Sequence, residues 1–338
     1  MQETWYAFRQ TKEQEVVLYR VYGQSPVVTI PEKIAGNRVT ELAAYCFAAR
    51  TIPDDCLIAS NDQIKSRQEL TDALQQGRIR EITGEYVHEV SLPDGMQTIG
   101  KLAFYRCNKL SKLVVGKKLC DMGSDAFMNC LNLRSLRMCA GVEEPTGLKQ
   151  LLAQIKWQVE VSFEQEDGER EAVLMYPEYY ESYDEIGPAH IFELNLTGEG
   201  FRARQCFKEG VILLNAYDEI FPQACVEESA EVLIPMAWNR LYAACGLSPE
   251  ARADYEEYVR EQSGKVLTIL LKKRELKPLH FFFEKGYGRK EQIEDAVAIA
   301  SHEEWMEGVA SLIAWKRQLF AEPEKTADVK SRYSFQDF

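Results

Sequence analysis

Hydrophobic positions recur at a fixed spacing in the first half of the chain. The segment VSLPDGMQTIGKLAFYRCNKLSKL, which begins at Val90, aligns with the segment LVVGKKLCDMGSDAFMNCLNLRSL, which begins at Leu113. Matched residues such as Phe104 and Phe127 lie 23 positions apart. A sequence period of about 20 to 29 residues predicts an array of stacked turns, because a single turn cannot bury its own apolar edge.

The alternation of apolar and polar residues within each repeat predicts one short strand per turn. The same frame extends upstream, because Phe47 precedes Ile58 by eleven positions, as Phe104 precedes Val115. Five strand rungs are therefore expected, at residues 28–30, 56–58, 90–92, 113–115 and 136–138.

The order of residue types inside one repeat adds a family resemblance. An Ile-Gly pair, an Ala-Phe pair and a cysteine follow one another at Ile99-Gly100, Ala103-Phe104 and Cys107. This order resembles the BspA-like branch of bacterial leucine-rich repeat proteins, over residues from about 26 to 140. The resemblance implies a leucine-rich repeat solenoid that serves as a binding scaffold. A short helix predicted at 147–155 would close its second end, so the solenoid is expected to span 26–156.

Two further elements are predicted around the first repeats. Residues 5–8 and 16–23 are rich in strand-forming residues and flank a polar turn, which indicates a hairpin. We expect this hairpin, in residues 1–25, to cap the open end of the solenoid. Ser66 and Glu69 have the spacing of a capping box, so a helical insertion is predicted near 62–77.

The repeat period is lost after Met138, and the charge changes with it. Residues 141–199 contain 14 acidic and 3 basic residues. Segments 157–163, 170–176 and 190–198 alternate apolar and polar residues, which predicts an acidic small β-sheet segment at 157–200. Calcium or a basic partner would also suit the acidic residues, but a solvated surface explains them and no DxDxDG loop is present.

Helical periodicity dominates from residue 201 to residue 322, where a helical domain is expected. The segment around Lys277-Pro278-Leu279-His280 resembles the ankyrin-like helical pairs that follow some bacterial leucine-rich repeats. The polar residues 323–338 are expected to form a flexible tail. The whole chain is thus predicted to be an α+β multidomain protein.

Composition narrows the class of protein. The chain is 46% hydrophobic and 28% charged, as in ordinary soluble globular proteins. Its net charge of −13 argues against a nucleic-acid partner, because phosphate contacts need a basic surface. No apolar run approaches the ~20 residues of a membrane span, and no signal peptide is evident, so a cytoplasmic protein is expected without a membrane partner. The nine cysteines, an odd number, are expected to stay reduced.

The sequence contains no recognisable catalytic constellation. None of the four histidines has metal-ligand spacing, and no CxxC pair, phosphate loop or serine elbow occurs. We therefore expect no catalytic residue, no metal and no cofactor. The leading hypothesis is a non-enzymatic protein-protein interaction module with an unknown protein partner. The alternative is an enzyme or small-ligand binder, with its site between the β segment and the helices of 157–320.

Two-residue alternation predicts which side chains face the partner. If Ile30, Ile58, Leu92, Val115 and Met138 point into the core, their neighbours point outward. The candidate partner-binding strand face is then made by Thr29, Leu57, Ser91, Val114 and Arg137, with Glu89, Lys112 and Ser135 beside them.

Overall fold

The computed structural model describes residues 3–165, 168–186, 188 and 190–320. The predicted tail at 323–338 lies outside these described residues. The chain divides into two compact units, Met1–Tyr255 and Glu256–Phe338. The division falls inside a helix, well beyond the boundary at 200/201 that the sequence predicts.

The first unit contains all the strands among the described residues and six complete helices. The strands in chain order are β1 (Trp5–Gln10), β2 (Val16–Gly23), β3 (Val27–Thr29), β4 (Lys33–Ile34), β5 (Asn37–Leu42), β6 (Leu57–Ser60), β7 (Gln63–Lys65), β8 (Arg80–Glu81), β9 (Glu89–Ser91), β10 (Thr98–Ile99), β11 (Lys112–Gly116), β12 (Asp121–Met122), β13 (Ser135–Cys139), β14 (Val159–Glu164), β15 (Arg170–Tyr176), β16 (Tyr180–Ile186), β17 (Ile191–Thr197), β18 (Phe207–Lys208) and β19 (Val211–Ile212). The helices are α1 (Arg67–Gln75), α2 (Leu148–Gln154), α3 (Gly200–Ala203), α4 (Leu214–Asp218), α5 (Phe221–Glu227) and α6 (Ala230–Tyr242). Helix α7 (Pro249–Glu261) crosses into the second unit.

The repeats build a six-stranded sheet in the order β15-β14-β13-β11-β9-β3. Strands β3, β9, β11, β13 and β14 are parallel, and β15 closes the sheet antiparallel to β14. Equivalent residues of successive repeats lie side by side, as Leu113 does with Val90 and with Leu136. These inward residues are fully buried. Four of the five expected rungs therefore belong to one sheet in the expected register.

The rung expected at 56–58 is wrong. Strand β3 pairs directly with β9, and β6 instead pairs antiparallel with β1 and β7 in another sheet. The eleven-residue spacing from Phe47 to Ile58 is a coincidence of two buried apolar residues, because Ile58 packs in a separate core. The fifth parallel strand is β14, which the sequence analysis assigned to an independent acidic segment.

A second sheet has the order β12-β10-β5-β2-β1-β6-β7 and takes β10 and β12 from the repeats. The predicted N-terminal hairpin is present as β1 and β2, and β2 extends this second sheet through parallel pairing with β5. Its capping role stays a prediction. Residues 48–83 form an insertion that contains β6, β7, α1 and β8 and packs against the hairpin around a cluster of Trp5, Tyr22, Ile58, Leu70 and Ile79. Helix α1 begins with the predicted capping box of Ser66 and Glu69.

A column of three aromatic rings fixes the alignment of the turns. The ring of Phe104 stacks on Phe47 at 5.0 Å and on Phe127 at 5.1 Å, with the ring planes within 9° of parallel. Beside this column, the Cys107 thiol donates to the Phe47 carbonyl at 3.4 Å and the Cys130 thiol to the Phe104 carbonyl at 2.9 Å. The phenylalanines and cysteines of the repeat thus tie each turn to the one before it.

The glycine of the Ile-Gly pair is required in the repeat for a steric reason. A Cβ on Gly123 would lie 2.2 Å from the backbone nitrogen of Lys101, and one on Gly100 would lie 2.5 Å from that of Ala44. Real Cβ atoms do not approach backbone so closely, so only glycine allows adjacent turns to meet here.

The elements after β15 close the sheet. The Met175 N–H donates to the Tyr217 hydroxyl at 3.1 Å, and that hydroxyl donates to the Met175 carbonyl at 2.6 Å. Helix α6 packs on β15, and its buried Arg240 forms two 2.8 Å bonds with Asp218 of α4. The prediction of a separate β segment at 157–200 is therefore wrong for β14 and β15, because these two strands complete the repeat sheet. Of the described strands in that segment, β16 and β17 stand apart, as a two-stranded ribbon.

The second unit is helical among its described residues. It contains the end of α7 and helices α8 (Ser263–Lys273), α9 (Leu276–Glu284), α10 (Lys290–His302) and α11 (Met306–Leu319). Helices α10 and α11 pack against each other, and His280 lies 3.5 Å from Glu284 on α9. The resemblance to ankyrin-like pairs stays a prediction.

The stacking of the three rings predicts that removal of the middle ring, Phe104, strongly lowers the stability of the protein. We expect Phe104→Ala to lower the free energy of unfolding by about 3 to 5 kcal/mol, because the ring is fully buried between two others. Urea unfolding followed by circular dichroism measures this loss. Met128→Ala, at a side chain that is 49% exposed, is the control and should change stability by less than about 0.5 kcal/mol. Equal losses in both variants would contradict the role of the column.

The close approach of the turns predicts that a single methyl group added at Gly123 lowers the stability of the protein. Gly123→Ala should destabilise the protein by more than about 1 kcal/mol, since its Cβ would overlap rigid backbone. Gly264→Ala is the matched control, because a Cβ there meets nothing within 4 Å and lies in a helix. Thermal melts of both variants make the comparison, and a Gly123→Ala protein as stable as the wild type would refute the packing argument.

The state of the cysteines predicts that a reductant does not change the thermal stability of the protein. All nine cysteines are free in the structure. Hydrogen bonding to Cys130 and burial raise the pKa of the Cys107 thiol far above its usual value, so the thiolate needed for disulfide exchange does not form. The melting temperature should be the same with and without dithiothreitol. A fall of several degrees on reduction would reveal a structural disulfide.

Candidate functional site

Two rows of outward side chains cross the five parallel strands of the repeat sheet. The register pairs Thr29 with Ser91, then Val114, Arg137 and Ser162 in one row. It pairs Val27 with Glu89, then Lys112, Ser135 and Glu160 in the other. We call these ten residues the strand face. The alternation that buries the inward residues of each strand is what aims these ten outward.

All ten side chains of the strand face are at least partly accessible. The charges are balanced across neighbouring strands, since Lys112 lies between Glu89 and Ser135. The Arg137 guanidinium lies 2.6 Å from the carboxylate of Glu164 at the end of β14. The face therefore offers alternating hydroxyl, apolar and charged groups with little net charge.

Seven of the eight predicted candidate residues lie on this face, and Leu57 does not. Leu57 is 40% exposed on β6, where it pairs with Phe8 of the second sheet. Its inclusion followed from the wrong rung at 56–58. Leu57 is therefore removed from the candidate surface.

Sequence reasoning missed Val27, Glu160 and Ser162. Val27 lies one position outside the predicted first rung. Glu160 and Ser162 lie on β14, whose Val161 pairs with Leu136 at a spacing of 25 residues, where the repeat period is 23. The alternation of Val159, Val161 and Phe163 was the available signal. Helix α2 lengthens this last turn, so β14 does not fit a fixed period of 23 residues.

Helix α6 limits the strand face at its far end. It covers β15, where Val173 and Met175 are 6% and 7% exposed although they occupy the same two rows. The Asn239 amide donates to the Glu160 carboxylate at 2.9 Å, which anchors the helix beside β14. The exposed part of the repeat sheet on this side therefore runs from β3 to β14.

A cleft of about 960 Å³ opens at the carboxyl ends of β11 and β13. Two of its carboxylates have partners: Lys117 lies 2.5 Å from Glu144, and Glu171 accepts the backbone N–H of Val142 at 3.1 Å. Burial raises the pKa of the Cys139 and Cys245 thiols near this cleft, so both are protonated at neutral pH. A protonated thiol is a poor nucleophile, so these cysteines do not make the cleft reactive.

None of the described lining residues of this cleft is a histidine. His190 is exposed and contacts Glu185, and His280 packs edge-on against Trp315 at 4.9 Å. Within the described ranges, no group of three His, Cys, Asp or Glu residues is arranged to hold a metal ion. In the same part of the chain, every helix is too short or too polar to cross a membrane.

Comparison with known proteins supports the repeat resemblance. Residues 83–145 match the family model described as "BspA type Leucine rich repeat region (6 copies)". A search of curated proteins finds no match. Among solved structures, the chain is similar to the crystal structure of a leucine-rich repeat protein of T. pallidum, with 18% sequence identity and a TM-score of 0.21, covering 39% of this chain and 68% of that one. Over residues 83–145, this chain is therefore similar to the BspA-type leucine-rich repeat.

Proposed function

We propose that this protein is a non-enzymatic interaction module that binds another protein through the strand face. The observation that carries the proposal is the open face itself, in which two rows of five side chains each lie in register across five strands. Repeat arrays commonly use such continuous surfaces for recognition, because the outward residues are not needed for stacking.

The chemistry of the strand face suits a protein partner. Hydroxyl groups at Thr29, Ser91, Ser135 and Ser162 offer hydrogen bonds, and Val114 provides apolar contact at the centre. Charged groups of both signs sit on neighbouring strands, which favours a partner of complementary pattern over one of uniform charge. A nucleic acid would require a predominantly basic surface, which this face does not offer.

The alternative, an enzyme or small-ligand binder in 157–320, gains no specific support. Its expected sign is a pocket with converging histidines and carboxylates whose pKa values are shifted. A cavity of about 640 Å³ between α10 and α11 lies in this region, but none of its described lining residues is a histidine, and its Glu294 carboxylate pairs with Lys316, an interaction that lowers the Glu294 pKa. With a lowered pKa, this carboxylate stays ionised at neutral pH and is unsuited to act as a proton donor.

The test is to change the centre of the strand face without unfolding it. Ser91 and Val114 are direct neighbours on β9 and β11, so Ser91→Arg with Val114→Glu introduces a favourable cross-strand pair and alters shape and charge together. We expect this double variant to fold normally and to lose at least nine-tenths of the partner protein that the wild type co-purifies from native extract, measured by quantitative mass spectrometry.

The matched control places the same residue types on the second sheet. Thr98 and Asp121 are direct neighbours on β10 and β12, so Thr98→Arg with Asp121→Glu creates an equivalent pair away from the strand face. This control should retain the partner. Equal capture by both double variants would refute binding through the strand face.

A further inference from the structure

The β16-β17 ribbon leaves an apolar row uncovered. The side chains of Phe192, Leu194 and Leu196 alternate along β17 and are 64%, 47% and 40% exposed. Alternation in the sequence leads one to expect such a row to face a core. Here the row faces outward among the described residues, and a contiguous exposed apolar patch of this kind marks an interaction site.

The neighbouring strand places carboxylates beside this row. The register pairs Phe192 with Glu185, Leu194 with Tyr183 and Leu196 with Glu181. Directly paired residues share one side of an antiparallel ribbon, so a Glu-Tyr-Glu row runs next to the three apolar side chains. Tyr183 is itself 65% exposed, which widens the apolar strip at its centre.

The charge of the ribbon restricts what can cover it. Residues 180–197 contain four acidic residues and no lysine or arginine. Within the chain, Lys156 binds Glu181 at 2.6 Å and His190 contacts Glu185. Two copies of the ribbon packed face to face would bring the carboxylates of one against those of the other, which electrostatic repulsion opposes. An occupant with basic residues beside an apolar stripe has the complementary pattern.

We infer that the ribbon is a second docking surface, distinct from the strand face, and that its occupant is a basic amphipathic helix of another protein. The dimensions fit this class. Phe192 and Leu196 are four residues apart on a strand, or about 13 Å. Eight residues of a helix rise about 12 Å, so apolar residues at i, i+4 and i+8 match the row. Lysines on the adjacent helical positions then meet the Glu185 and Glu181 side.

The probe for this surface is a synthetic peptide of about 18 residues, long enough to be helical in water, with leucine at helical spacing and lysine elsewhere. Titration of the labelled peptide with the full chain, followed by fluorescence anisotropy, measures binding. We expect Phe192→Ser with Leu194→Ser to weaken binding at least tenfold, because both apolar contacts are lost. Binding should also weaken when the lysines of the peptide are replaced by glutamate.

The matched control removes two exposed apolar residues elsewhere. Met128 and Leu131 are 49% and 61% exposed on the repeat region, so Met128→Ser with Leu131→Ser removes similar area and should leave peptide binding unchanged. Circular dichroism melts verify that both variants are folded. Equal binding by the ribbon variant and this control, or no binding by the wild type, would overturn the inference.

A second copy of this chain is the competing occupant. Sedimentation velocity of the wild type and of the Phe192→Ser/Leu194→Ser variant distinguishes the two cases. We expect both proteins to sediment alike. A wild-type dimer that the ribbon variant abolishes would assign the apolar row to self-association and would refute the proposed helix.

Discussion

Successive turns of the repeat region meet backbone to backbone, with no space for a side chain between them at Gly100 and Gly123. This spacing governs the other contacts of the stack. Parallel strands in a sheet lie about 4.7 to 4.9 Å apart, and the ring centroids of Phe47, Phe104 and Phe127 follow at 5.0 and 5.1 Å. Because strands, rings and glycine turns share one translation, each outward side chain lies beside its counterpart in the next turn. The strand face exists as two rows because of this constraint.

The end of the stack depends on a buried cation. Arg204 donates to the backbone carbonyls of Ile155 and Trp157 at 3.0 and 2.9 Å, and to that of Pro177 at 2.6 Å. Burial lowers the pKa of this guanidinium to about 10, which leaves it charged at neutral pH. One side chain thus joins the chain entering β14 to the chain leaving β15. This link helps explain why residues 201–255 belong to the same compact unit as the repeats.

The sequence predicted the regular part of the stack and failed where the period changes. Val90 to Met138 repeat at one interval, and every inward and outward assignment within β9, β11 and β13 agrees with the structure. Leu57 was misplaced because a buried strand in the insertion imitated a rung. Glu160 and Ser162 were missed because α2 stretches the last interval by two residues. The exposure of Phe192, Leu194 and Leu196 could not be predicted. Alternation of apolar and polar residues shows that a strand has one apolar side and one polar side, but it does not show whether another element covers the apolar side.

The insertion at residues 48–83 leaves the stack and returns to it within one turn. The Gly84 N–H donates to the Phe47 carbonyl at 2.8 Å, so the residues that flank the insertion are as close as the two hydrogen-bonded residues of a tight turn. The entropy of closing a loop grows only slowly with its length, by about 0.6 kcal/mol for each doubling. A segment with its own core can therefore be gained or lost between Phe47 and Gly84 without shifting the rings or the strands. This junction is therefore a place where a module can be added, in evolution or by protein engineering, while the strand face stays intact.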